Sequence, residues 1–133
     1  MPGMHKILIV DDEESIRFAM SEYFLAHSNQ VDCAQSVEEA EAYLAAGSYS
    51  AVIADLRLTG QGDMGGLEVV KSVHERQPGT PVVVLTAHRS PEIEEKVRQH
   101  GVKALLRKPK PLPDVAQIVF DMIEASSAKP STS

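Results

Sequence analysis

The chain has 133 residues, 43% of them hydrophobic, 24% charged and 5% aromatic, and carries a net charge of −6 at pH 7. That length suits one domain with its own core. The acidic balance and the lack of Trp argue against direct nucleic-acid binding, and no apolar run nears the roughly 20 residues that cross a bilayer.

Met1 to His5 carry neither the basic nor the apolar region of a secretion signal. The single cysteine, Cys33, cannot close an internal disulfide, so a reducing cytoplasm is the expected location. Lys6 to Val10 reads as a first strand, and it stops on Asp11, Asp12, Glu13 and Glu14. Four successive carboxylates repel one another beside an apolar core unless a counter-charge meets them. Ile16, Met20, Tyr23 and Phe24 then step at helical spacing. Gln30 to Ala34 is a second strand, with Cys33 as a packed strand residue. Ser36 and Glu39 form a capping-box pattern for a second helix, whose inner face is Ala40, Tyr43 and Leu44.

Ala51 to Ala54 is a third strand, followed at once by Asp55. Gly60, Gly62, Gly65 and Gly66 make the next loop flexible. Gly66 to His74 predicts a third helix on Leu67, Val70 and Val73. Pro81 to Leu85 is a fourth strand, closed by Thr86. Ser90, Pro91 and Glu92 open a fourth helix anchored only by Ile93 and Val97. Ala104 to Leu106 is a fifth strand, followed by Lys108-Pro109. Pro113 and Asp114 open a fifth helix striped by Val115, Ile118, Val119 and Met122. One domain over 1–126 is expected, with 127–133 as a polar tail or linker.

Strand and helix alternate five times, which predicts an α/β fold: a doubly wound five-stranded parallel sheet with five helices. The first, third and fourth strands are continuous apolar runs, as expected for strands covered on both faces. Such sheets bind ligands outside the carboxyl ends of their strands. Those ends carry Asp11, Asp12, Asp55, Thr86 and Lys108. Clustered carboxylates there suit a hard divalent cation, Mg²⁺ above all. Lys108 adds positive charge, and Thr86 can donate to a phosphoryl oxygen.

The runs "ILIVDDE" at 7–13, "VIADLRL" at 52–58, "VVLTA" at 83–87 and "RKPK" at 107–110, in that order, resemble a receiver domain of two-component response regulators. The resemblance covers about residues 5–126 and implies the flavodoxin-like, receiver-type form of the fold. It implies that Asp55 is the phosphoacceptor, served by a sensor histidine kinase or phosphotransfer protein. It implies Mg²⁺ on Asp12, Asp55 and the backbone carbonyl of Arg57, with Asp11 acting mainly through water. Thr86 and Lys108 would hold the phosphoryl oxygens, and Lys108-Pro109 would be cis. The product would be a timed acyl phosphate with slow autodephosphorylation, in a signalling module rather than a turnover enzyme. Output would pass through the fourth helix, fifth strand and fifth helix to a downstream protein or a missing output domain. Homodimerisation is left open, and neither nucleic acid nor membrane is an expected direct partner.

Two features depart from the family pattern. Leu105 stands where the family usually has Tyr or Phe, and the loop after Asp55 has Thr59 in place of proline and about three extra residues. Arg57 and His88 lie two residues beyond Asp55 and Thr86 and are expected to cover the phosphoryl group partly. Glu13 and Glu14 suit a helix's first turn rather than a metal. His27, His74 and His100 show no metal-ligand spacing. The main alternative is a Mg²⁺-dependent phosphohydrolase working through an aspartyl phosphate. Hydrolases of the haloacid dehalogenase type place an acid two residues past the nucleophile, and here that residue is Arg57. An unphosphorylated interaction domain is the third reading, and the intact Asp12, Asp55, Thr86 and Lys108 speak against it.

Overall fold

A computed structural model describes residues 5–58, 65–102 and 104–127. Ten elements alternate along it: β1 (Lys6–Val10), α1 (Glu14–Ala26), β2 (Gln30–Ala34), α2 (Val37–Ala46), β3 (Ala51–Asp55), α3 (Gly65–Arg76), β4 (Val82–Thr86), α4 (Pro91–Gln99), β5 (Ala104–Arg107) and α5 (Leu112–Ser127). The strands form one sheet in the order β2-β1-β3-β4-β5, and every pairing is parallel. The three continuous apolar runs are the three inner strands, and the more polar β2 and β5 are the edges. An inner strand of a helix-covered sheet needs apolar side chains on both faces, whereas an edge strand tolerates polar ones.

Alternation along the strands builds two cores. Leu8, Val10, Val52, Ala54 and Val84 face α2, α3 and α4, where they meet Leu44, Val70 and Val97. Ile7, Ile9, Ile53, Val83 and Leu85 face α1 and α5, where they meet Met20, Phe24, Val115 and Val119. Each fully buried aliphatic side chain contributes about 1.5–3 kcal/mol, so both faces stabilise the sheet. Ile16, Tyr23, Ile118 and Met122 pack at the margins of the second core.

Element ends differ from the sequence reading in instructive ways. β3 and β4 run one residue further, so Asp55 and Thr86 are themselves strand residues. Pro81 lies outside β4, but its carbonyl accepts from Val52 N at 3.0 Å. α3 starts at Gly65 and continues to Arg76. α5 starts at Leu112 and runs through Ser127, one residue beyond the predicted domain boundary. Residues 128–133 of the predicted tail, and Thr59, Gly60 and Gly62 of the loop, lie outside the described residues. The capping box is half as expected. Ser36 Oγ accepts from Glu39 N at 3.1 Å, but the Glu39 carboxylate reaches Gln35 N rather than Ser36 N.

The chain reverses its winding between β1 and β3, which are adjacent in the sheet. A crevice opens there at the carboxyl edge, where the two neighbouring connections leave in opposite directions.

Candidate functional site

Asp11 follows β1 directly, and its amide continues the pairing with β2 through Ala34 O at 3.1 Å. Asp11 Oδ1 accepts from Glu13 N at 2.9 Å, a local turn that starts the chain into α1. Arg17 Nη1, one turn into that helix, donates to Asp11 O at 2.7 Å. Both contacts hold Asp11 at 2% exposure and leave Oδ2 facing Lys108. On the far side, Lys108 N donates to Thr86 O at 2.7 Å, and the Lys108-Pro109 peptide is cis.

The Lys108 ammonium lies among the carboxylates: 3.2 Å from Asp11 Oδ2, 3.4 Å from Asp55 Oδ2 and 3.9 Å from Glu13 Oε1. Asp11, Asp12 and Asp55 each offer an oxygen within 4.8 Å of the others. Burial, then the Asp11 carboxylate, pushes the Asp55 carboxyl up to about 6, against the pull of Lys108. Burial would lower Lys108, but Asp11 and Asp55 outweigh it and its net shift is upward. The buried Asp11 and Asp55 thus share one ammonium, with Asp12 beside them and Glu13 at the exposed rim. Oxygen donors at this spacing fit Mg²⁺, whose opposite ligands stand on the order of 4 Å apart. The crowding of like charge is what such a cation would relieve.

Asp12, Asp55, Arg57, Thr86, His88 and Lys108 line a cavity of about 370 Å³ at this edge. The seven residues that the sequence places at the strand ends or beside them therefore meet or adjoin one site: Asp11 pairs with Lys108, and the other six line the cavity. Arg57 and His88 are exposed on that wall. Glu13 is also exposed and stands outside the three-carboxylate group. His27 stacks on Tyr23, His74 faces Gly101 and His100 bonds the Lys96 carbonyl, all away from the crevice. Cys33 is half-buried against the α1 and α5 core, and burial pushes its thiol up.

Two arrangements were not read from the sequence. Thr86 is 5% exposed, and its hydroxyl donates to His88 O at 2.9 Å while accepting from His88 N at 3.1 Å. Gly66 is a packing residue rather than a flexible one. Its amide donates to Leu56 O at 2.7 Å, and a Cβ there would lie 2.3 Å from Asp55 O and 2.7 Å from Leu56 Cα. The signal was present in the Gly-Gly pair that opens α3, but a glycine required for close approach looks like any loop glycine in one sequence.

A family model described as the response regulator receiver domain matches residues 7–120. The sensory/regulatory protein RpfC of Xanthomonas campestris pv. campestris is 33% identical over 108 residues, covering 78% of this chain and 14% of RpfC. The response regulator receiver protein Anae109_2439 of Anaeromyxobacter sp. is 30% identical over 115 residues, covering 86% of this chain and 47% of that protein. The chain therefore spans less than half the length of either relative. Among solved structures, a CheY-like response regulator receiver domain protein from Methanospirillum hungatei superposes with a TM-score of 0.87 at 22% identity, covering 96% of this chain and 100% of that one. That likeness shows the shared fold. The family match takes in every residue of the crevice and, but for Lys6, all five strands, and the chain belongs to the response regulator receiver domain family.

Proposed function

We propose that this chain accepts a phosphoryl group on Asp55 from the phosphohistidine of a sensor histidine kinase or phosphotransfer protein. The observation that carries the reading is the Lys108 ammonium held between Asp11 and Asp55, with Asp12 and Thr86 beside it at the carboxyl edge of the sheet.

In this reading an Asp55 oxygen forms the new O–P bond. The P–N bond breaks with its electron pair going to the departing imidazole, which takes a proton from solvent. Asp12, Asp55 and the Arg57 carbonyl would hold Mg²⁺, with Asp11 acting through water. When bound, Mg²⁺ supplies positive charge to the phosphoryl oxygens. Lys108, already 3.4 Å from Asp55, shifts its pairing to the transferred group. Thr86 donates its hydroxyl to a phosphoryl oxygen. Arg57 and His88 on the cavity wall restrict attacking water, so the acyl phosphate decays slowly.

The receiver domain of this reading takes in α5 to its end at Ser127. Its output face is α4, β5 and α5, where Val97, Leu105, Leu106 and Ile118 line a groove of about 660 Å³. A downstream protein, an output domain or a second copy would dock there, in the cytoplasm. Among the described residues no helix is long and apolar enough to cross a membrane. The hydrolase alternative finds no support at position 57, where an exposed guanidinium stands instead of an acid.

Acetyl phosphate labelling with and without Mg²⁺, read by intact mass, tests the proposal. A single Mg²⁺-dependent phosphoryl adduct, absent from Asp55→Asn, is expected. An adduct that survives in Asp55→Asn would move the acceptor elsewhere.

A further inference from the structure

Arg89 makes two contacts that the phosphoryl crevice does not require. Its Nε donates to Glu94 Oε2 at 2.8 Å on α4, and its Nη1 donates to Leu105 O at 3.1 Å in β5. One side chain thus ties a helix to an edge strand. The helix has little else to hold it: Val97 is its one buried residue, and Ile93 is partly buried. Its Ser90 cap closes only the first turn, through Ile93 N at 3.2 Å.

Thr86 restrains the backbone that carries Arg89. The Thr86 hydroxyl brackets His88 on both sides, donating to its carbonyl and accepting from its amide. The His88 carbonyl lies in the same peptide plane as the Arg89 N–H, so fixing one fixes the other. A threonine hydroxyl has a single proton to donate. A proton directed to a phosphoryl oxygen is withdrawn from the His88 carbonyl.

We propose that Arg89 is a latch that holds α4 on β5 while Thr86 bonds His88, and that it lets go when Thr86 turns to the phosphoryl group. The latch rests on the reading of Asp55 as phosphoacceptor. Its strength suits the task. The Arg89–Glu94 pair is 39% and 40% exposed on its two sides, and exposed pairs of this kind are weak. A single redirected hydroxyl bond can bias only an element held by comparably weak contacts.

Hydrogen exchange of the α4 amides on the full chain tests this, with intact mass reporting the adduct from acetyl phosphate and Mg²⁺. Without phosphate, Arg89→Ala and Thr86→Val should each speed α4 exchange about fivefold to tenfold, and the double variant should be no faster than Arg89→Ala. The α3 amides should not change, which separates an unlatched helix from a loosened fold. Additive effects, or a parallel change in α3, would overturn the latch. With phosphate, wild-type α4 should rise to the Arg89→Ala rate, and Arg89→Ala should gain nothing further. An adduct without faster α4 exchange would overturn the latch and leave the acceptor reading standing. No adduct would remove the acceptor reading, and the comparison without phosphate would still decide whether Thr86 controls Arg89.

Discussion

The surroundings of Asp55 disfavour its charged form. Its carboxyl rises from an ordinary 3.8 to about 6 because burial and Asp11 disfavour its charge. Below about pH 4 the group is protonated in both the folded and unfolded chain, and no stability is lost. Between about 4 and 6 the unfolded chain gives up its proton first, so stability falls, and above 6 the loss is complete. Metal-free Asp55→Asn should therefore match the wild type near pH 4 and exceed it by on the order of 2–3 kcal/mol above pH 6. Urea denaturation in chelator across that range checks it; a constant difference would contradict the shift. Gly66 is the second residue-scale constraint. Gly66→Ala places a Cβ against the backbone at Asp55 and Leu56, which cannot move aside as a side-chain tip could. A loss of about 2–4 kcal/mol is expected, with slower acetyl phosphate labelling, although Gly66 touches no phosphate. Asp11, Asp12, Asp55, Thr86 and Lys108 were legible in the sequence because a strand-end position and a chemical type coincide at each. Gly66 and Thr86's bonds to His88 were not, because both depend on where a neighbouring backbone passes.

Whole elements were legible where burial leaves a pattern. The apolar runs of β1, β3 and β4 marked inner strands, but the order of strands depends on which crossover goes to which side, and residue type does not record that. Helices differ in how firmly they are held, and their caps should reveal it. α2 buries Val37, Ala40 and Leu44 and is joined to α3 by Ser72 Oγ donating to Glu41 at 2.8 Å. α4 buries Val97 alone. Each cap serine contributes about 1 kcal/mol to its helix. Ser36→Ala should lower the global denaturation midpoint, because α2 melts with the core. Ser90→Ala should leave the midpoint almost unchanged and speed exchange only in the first turn of α4. Equal shifts of the midpoint would show that α4 is as well integrated as α2.

At the scale of the molecule, two apolar cores clamp a sheet whose carboxyl edge gathers like charge. The opening run of four carboxylates resolves along this division. Asp11 and Asp12 turn inward to the crevice, Glu13 caps α1 at the crevice rim with its carboxylate 3.9 Å from Lys108, and Glu14 begins the exposed first turn of α1. The cores supply the stability against which the crowded edge is held. A cation that relieves the crowding must then stabilise the whole fold, since it binds an arrangement the unfolded chain lacks. Mg²⁺ at a hundredfold excess over its dissociation constant should add about 2.7 kcal/mol, or roughly 10 °C in melting temperature. Asp12→Asn should lose most of that gain, because one of three clustered ligands is neutral. Asp55→Asn should also gain less from Mg²⁺, but from a higher metal-free starting point, since the same change removes the repulsion. Melting curves of the three proteins at pH 7.5, in chelator and in excess Mg²⁺, separate these effects. If Mg²⁺ stabilised all three equally, the cation would be binding away from the crevice, and the carboxylates would need another counter-charge than the one proposed.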